Sequence, residues 1–185
     1  FYRRHKRRIL NYVYRMIGDY GCSEEITQEV FVKAYISLPR YTPQGKPLQW
    51  IYTIAGNSCK NFFRDKRYQP RLLLNKDLPG GEGLTMQDVI PAGGESPLDA
   101  AMSREKEELI QEAVNMLPVK YREVLVLCDI QGYSYEEAAL ILECKIGSVG
   151  SRLSKARSLL ARSLSRYFSK GTAGKEAREK DGKAH

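Results

Sequence analysis

The chain has 185 residues, 42% of them hydrophobic, and a formal charge of +8. That length holds one or two domains with modest cores, and no run reaches the roughly 18 consecutive apolar residues of a membrane span. With His5 and His185 as the only histidines, a His-based triad or a Cys/His zinc cluster is hard to assemble.

The charge is unevenly placed. Residues 1–70 carry 13 Lys and Arg against 5 Asp and Glu, residues 144–166 carry 6 against none, and residues 99–143 carry 4 against 10. Two basic zones separated by acidic sequence suit a polyanion touched at two places. The opening YRRHKRR precedes Ile9, Leu10, Val13 and Ile17 at helical spacing, so residues 1–18 read as an amphipathic helix and not as a signal peptide. The first residue is Phe rather than Met, and we expect further sequence ahead of it.

Gly18-Asp19-Tyr20-Gly21 reads as a turn, after which Ser23 is expected to cap a helix running to about Ser37. Ile26, Val30, Phe31, Ala34 and Leu38 form its expected buried side. Glu25, Gln28 and Glu29 share the other side, with Val32 and Lys33 beside them. Taken alone, such a cluster is an ordinary solvated face. Pro39 ends the helix, and RYTPQGK (residues 40–46) is a loop with two cations.

Pro47 suits the first turn of a third helix, residues 48–67. Its expected core stripe is Leu48, Ile51, Ile54, Ala55, Cys59 and Phe62. Gln49, Tyr52, Thr53, Asn57, Lys60, Asn61 and Arg64 are left on the surface, with Trp50 near the basic loop. Rings, amides and cations on one surface are what single-stranded nucleic acid uses for stacking, edge contacts and phosphates. The residues alone leave open whether Trp50 stacks on bases or fills a core.

Residues 68–98 are rich in Gly and Pro without a sustained period and read as a linker, with an end-to-end distance of roughly 30 Å when flexible. Residues 72–74 and 86–90 are too apolar for a pure spacer. Ser96-Pro97 then opens a helix to about Met116, which Leu117-Pro118 breaks. A further helix turns Tyr121, Val124, Leu125 and Cys128 inward and stops at Gly132.

SYEEAALILECKIGSVGSRLSKAR (residues 134–157) reads as two short helices around a tight turn. Ser134 and Glu137 have capping-box spacing, and Ala138, Ala139, Ile141 and Leu142 are the apolar side. The turn falls at residues 143–146. The second helix buries Val149, Leu153, Ala156 and Leu160 and shows Ser148, Gly150, Ser151, Arg152, Ser154, Lys155 and Arg157. Short polar residues followed by cations suit the DNA major groove. This helix ends near Phe168, and the small, charged residues 169–185 are expected to be disordered. Cys22, Cys59, Cys128 and Cys144 are scattered without a CxxC pair, so they read as reduced, buried thiols.

Together these pieces resemble a bacterial sigma factor of the extracytoplasmic-function (ECF) group, over about residues 1–166. SEEITQEVFVKAY resembles the helix that binds the RNA polymerase clamp. RYTPQGKPLQWIYTIAGNSCKNFFRDKRY resembles the segment that melts and reads the promoter −10 element. LPVKYREVLVLCDIQGYSYEEAALILECKIGSVGSRLSKAR resembles the domain that binds the −35 element.

The resemblance implies an all-α protein of two small helical domains joined by a flexible Gly/Pro-rich linker. Residues 1–67 would bind core polymerase and the −10 element, 68–95 would link, 96–168 would form the −35 helix-turn-helix, and 169–185 a basic tail. It implies that Glu25, Gln28 and Glu29 contact core polymerase. Arg40, Lys46, Trp50, Asn57, Lys60, Asn61, Arg64 and Lys66 are assigned to −10 DNA, and Ser148, Gly150, Ser151, Arg152, Lys155 and Arg157 to −35 DNA. The protein would promote strand opening by binding, without a catalytic residue, cofactor, metal or small-molecule substrate. Its partners would be core RNA polymerase, promoter DNA and an anti-sigma factor that holds a cytoplasmic protein inactive, in some cases at the membrane. Three positions depart from the family: Thr27 where an apolar residue is usual, Glu25 where Asp is frequent, and Gly150 where many members carry a basic residue.

Two other readings compete. Residues 117–166 alone suit a stand-alone helix-turn-helix regulator, such as a LuxR-type effector domain. An enzyme acting on nucleic acid needs a metal-binding carboxylate cluster or a nucleophile–base pair, and the sequence shows neither.

Overall fold

Each helix has one face that water disfavours, and covering those faces sets the architecture. The computed structural model describes residues 2–41, 46–65 and 97–181, with backbone alone for Arg40 and for residues 97–105 and 166–181. The expected linker, Lys66 and the Ser96 cap lie outside the described residues. The elements are α1 (Tyr2–Ile17), α2 (Tyr20–Ser37), α3 (Pro47–Arg64), α4 (Pro97–Asn115), α5 (Val119–Leu125), α6 (Tyr135–Ile141) and α7 (Ile146–Asp181). No strand occurs among the described residues. The chain divides into two units, Phe1–Ser103 and Arg104–His185.

In the first unit α1, α2 and α3 pack mutually. Ile9, Tyr12, Val13 and Met16 of α1 meet Ile26, Val30 and Ala34 of α2 and Ile51, Tyr52, Ala55 and Cys59 of α3, all buried. Tyr12 and Tyr52 sit edge to face, with ring centroids 5.1 Å apart.

Three expectations are corrected here. The cap of α2 is Asp19, whose carboxylate accepts from the Cys22 N–H at 2.7 Å, and the helix starts earlier than expected. Ser23 is instead buried inside the first turn, its hydroxyl donating to the Asp19 carbonyl. Leu38 is exposed and Phe31 half-buried, because α2 turns Thr27 and Ser23 inward. Thr27 is tolerated in the core because its hydroxyl donates to the Ser23 carbonyl at 2.7 Å. On α3, Gln49 and Tyr52 are buried, while Leu48, Ile54 and Phe62 are half-buried. The inward face is thus rotated from the expected stripe, because Tyr52 is drawn to Tyr12. Gln49 is engaged at the helix entrance, where its side-chain oxygen accepts from the Lys46 N–H at 3.1 Å.

In the second unit α5 continues as a π-helical turn, Val126–Ile130, and α7 packs on α5 and α6. Val124, Leu125, Val126 and Leu127 meet Ala138, Ala139 and Ile141 of α6 and Val149, Leu153 and Ala156 of α7. Buried Arg122 donates to the carbonyls of Asn115 and Leu117 (3.0 Å to the latter), closing the end of α4 with a cation, as a helix C-terminus favours. Gly132, at φ 74°, ends the π turn in the left-handed region open to glycine. The capping box of α6 is formed: the Glu137 N–H donates to Ser134 Oγ and the Ser134 N–H to Glu137 Oε2, each at 3.2 Å. The backbone of α7 runs on to Asp181.

Replacing Asp19 tests which residue caps α2. Asp19→Ala is expected to lower stability by about 1 kcal/mol and Asp19→Asn by far less, since Asn also accepts from the first turn. Denaturant unfolding measures both, and equal losses would show that Asp19 does not act as a cap.

Candidate protein and nucleic-acid interfaces

Locking one side of a helix into a core fixes what the other side presents. On α2 the buried residues are Ser23, Ile26, Thr27, Val30 and Ala34. At about 100° per residue, Glu25, Gln28, Glu29, Val32 and Ile36 form one stripe on the opposite side. All five are exposed. Glu29 is paired with Lys33, one helical turn on. The Lys33 ammonium also donates to Ser58 Oγ on α3 at 3.2 Å, which ties the acidic stripe to the next helix.

Beside this stripe lies a groove of about 810 Å³ lined by apolar side chains including Phe31, Val32, Tyr35, Tyr41, Trp50 and Ile51. Gln28 lines it as well, so the acidic stripe and Trp50 border one depression. Trp50 is half-buried and stacks against Tyr41, with centroids 4.4 Å apart and planes tilted by 33°. The question left open by the sequence has a mixed answer: one part of the indole packs, and the rest meets solvent.

On α3, Trp50, Asn57, Asn61 and Arg64 fall within about 60° of arc, opposite Ile51, Ala55, Ser58 and Cys59. Asn57, Asn61 and Arg64 are exposed, and Lys60 is half-buried on the flank. The Arg64 guanidinium donates to Asn61 Oδ1 at 2.8 Å, a contact that does not use the Asn61 amide N–H donors. Lys46 is exposed just ahead of the helix. Lys66 and the Arg40 side chain are outside the described residues.

On α7, Val149, Leu153 and Ala156 face the core. Ser151, Ser154 and Lys155 stand on the opposite crest, exposed. Ser148 and Arg152, half-buried, occupy one flank, and Gly150 and Arg157 the other. A Cβ at Gly150 would lie 3.8 Å from Tyr135, in ordinary contact. Arg157 is engaged by the carboxylate of Asp129, at 2.6 and 2.9 Å. The hydrogen bond to Asp129, and the charge of that carboxylate, push its pKa further above the ordinary arginine value. The turn ahead of α7 is made by Glu143 at φ 50°.

Sequence reasoning missed the Asp129–Arg157 pair, the Lys33–Ser58 link and the groove, because each joins residues far apart in the chain. Of the four cysteines Cys59 alone is buried; the others are half-buried and none is in a disulfide. Burial, foremost, pushes the Cys22 and Cys128 thiols up, and Asp19 and Asp129 add to it.

Residues 1–68 match the family model Sigma-70 region 2, and residues 107–160 match Sigma-70, region 4. The chain is 36% identical over 160 residues to the ECF RNA polymerase sigma factor SigW of Bacillus subtilis, covering 86% of this chain and 84% of that protein. It is 29% identical to the RNA polymerase sigma-H factor of Pseudomonas aeruginosa (87% and 82% covered) and 28% identical to the ECF RNA polymerase sigma-E factor of Escherichia coli (83% and 79% covered). Among solved structures, the sigma factor RpoE in complex with the anti-sigma factor NepR from Bartonella quintana aligns with a TM-score of 0.61 at 25% identity, over 89% of this chain and 94% of that one. CnrH in complex with the cytosolic domain of CnrY aligns with a TM-score of 0.61 at 22% identity, over 89% and 85%.

Space beside Tyr135 makes position 150 tolerant. Gly150→Ala is expected to stabilise the second unit by about 0.5–1 kcal/mol, because alanine restricts the unfolded chain and favours helix. A lower melting temperature than the parent would show that the close approach to Tyr135 requires glycine.

Proposed function

This chain belongs to the ECF group of RNA polymerase sigma factors, and from that membership we propose which residues do its work. The Glu25–Gln28–Glu29 stripe of α2 docks core polymerase. Trp50, Asn57, Asn61 and Arg64, with Lys60 beside them and Arg40, Lys46 and Lys66 around them, take the melted −10 strand. The crest of α7 and the flank with Ser148 and Arg152 take the −35 duplex; Arg157, paired with Asp129, stands with Gly150 on the other flank. Residues 1–67, 68–95 and 96–168 then serve as the −10 and polymerase domain, the linker and the −35 domain.

The observation that carries this reading is the α3 stripe: an indole, two amides and a guanidinium in line on a helix whose opposite face is locked in a core. A fixed row of this kind spends little conformational entropy on binding. The chemistry is capture. A base that unstacks finds a ring to lie on and donors for its edge, and these contacts offset the few kcal/mol that unstacking costs. The Glu29–Lys33–Ser58 chain of contacts ties the polymerase-facing stripe to the strand-reading helix. Since α2 and α3 also share one core, docking through α2 fixes how α3 is presented.

We also propose an anti-sigma factor as a partner, since RpoE aligns with this chain along most of its length and is itself bound to one. No helix among the described residues is long and apolar enough to cross a membrane. A cytoplasmic location beside the polymerase, with any membrane attachment supplied by that partner, belongs to the same proposal.

Reconstitution with core RNA polymerase tests the reading. The purified chain should co-elute with core, and Glu29→Lys should weaken the complex about tenfold, equivalent to about 1.4 kcal/mol. With promoters found by mapping initiation sites across a library, Trp50→Ala should leave the closed complex intact and reduce strand opening, read by permanganate reactivity. A chain that never associates with core would end this reading in favour of a stand-alone regulator.

A further inference from the structure

We propose that Asp129 is a specificity-determining residue of the second unit: it holds Arg157 off the duplex and so removes one sequence-independent phosphate contact. The proposal rests on the reading that α7 faces duplex DNA.

The core fixes which way α7 is turned. With Val149, Leu153 and Ala156 buried, Arg157 lies on the flank it shares with Gly150, two turns apart. Both positions look toward the elements ahead of α7. Tyr135 stands 3.8 Å from a Cβ at position 150, and Asp129 takes Arg157. Arg157 Nε donates to Oδ2 at 2.9 Å and Nη2 to Oδ1 at 2.6 Å. Two parallel bonds of this kind are the form in which arginine also grips a phosphate. The carboxylate therefore occupies the Nε–Nη2 edge of the guanidinium, leaving Nη1, and offsets the charge that would draw a phosphate.

Both ends of the pair are fixed. Asp129 sits in the π turn, whose Val126 and Leu127 are buried, and Arg157 is one residue beyond buried Ala156. The pair is still at the surface, with side-chain exposures of 56% for Arg157 and 32% for Asp129, so the arginine is within reach of a ligand once released. Cations on phosphates raise affinity for every sequence alike, whereas base edges discriminate. Withholding one cation lowers binding to the many competing sites and leaves Ser151, Arg152 and Lys155 free to act at the groove.

The test uses the full chain and a short fluorescent duplex of arbitrary sequence, with affinity measured across a salt series. Each phosphate contact adds about 0.9 to the slope of log affinity against log salt. Asp129→Asn is expected to bind several-fold more tightly at low salt and to steepen the slope by about one contact. Arg157→Gln alone should leave the slope of the parent, and in the Asp129→Asn background it should abolish the gain. Asp129→Ser serves in the same role where Asp129→Asn does not fold.

Lys155→Gln is the control for the underlying reading and should flatten the slope. If it does so while Asp129→Asn changes nothing, the proposal fails and the placement of α7 on DNA stands. If Lys155→Gln has no effect, that placement falls and the proposal with it. A flatter slope for Arg157→Gln alone would show that Arg157 reaches phosphate despite the pair. Weaker binding by Asp129→Asn together with a lower melting temperature would show a structural clasp. Either result overturns the proposal.

Discussion

The contact between Tyr12 and Tyr52 fixes the first unit more than any other single feature. The two rings meet edge to face at 5.1 Å, and both side chains are fully buried. Burying a ring of this size is worth about 1.5–3 kcal/mol and the paired geometry adds about 0.5–1.5. The consequence is rotational. Once Tyr52 points at α1, Trp50 is turned toward Tyr41 and the groove, and Asn57 and Asn61 are turned to solvent. Gly56 belongs to the same arrangement, since a Cβ there would come within 3.2 Å of the Tyr12 hydroxyl. The residues proposed to read a strand are thus aimed by residues that never touch it.

This explains which parts of the fold were legible in the sequence. The α1 core, and that of α7 as far as Ala156, follow helical periodicity because their inner faces are plainly apolar; Leu160, also expected inside, is half-buried. The capping box at Ser134 and Glu137 is a local pattern and forms as spaced. On α3 the choice between Tyr52 and Leu48 as core residue depends on what α1 offers, and spacing along α3 contains no such information. The same holds for α2, where Asp19 and Ser23 are both good cap residues. The backbone selects Asp19, and Ser23 becomes a buried hydroxyl bonded to the turn before it. Glu143 is a further case: a left-handed turn residue is usually glycine, and no local pattern marks a glutamate for that position.

The candidate surfaces divide along the same line. Which residue types they need is visible in the sequence, and the resemblance to a family assigns them roles. Whether each side chain is available is a matter of tertiary partners. Glu29, Asn61 and Arg157 were all read as surface residues, and all three prove to be engaged, by Lys33, Arg64 and Asp129 respectively. These engagements differ in kind. The first two join neighbours on one helix, are of the strength of ordinary exposed pairs, and leave donors or acceptors to spare. The third joins residues 28 apart and uses a bidentate fork.

That difference bears on how a basic helix can still discriminate. Residues 144–166 carry 6 cations and no carboxylate, so nothing within that span moderates its attraction to a phosphate backbone. The preceding segment supplies the moderation instead. Residues 99–143 carry 10 carboxylates against 4 cations, and Asp129 among them reaches across to α7. An acidic segment folded against a basic helix sets how much of the positive charge is free. The Gly150 flank follows the same pattern, with Tyr135 beside it where a longer basic side chain would add a contact. Asp129 offsets one cation on that flank, and Ser151, Ser154 and Lys155 are left exposed on the crest.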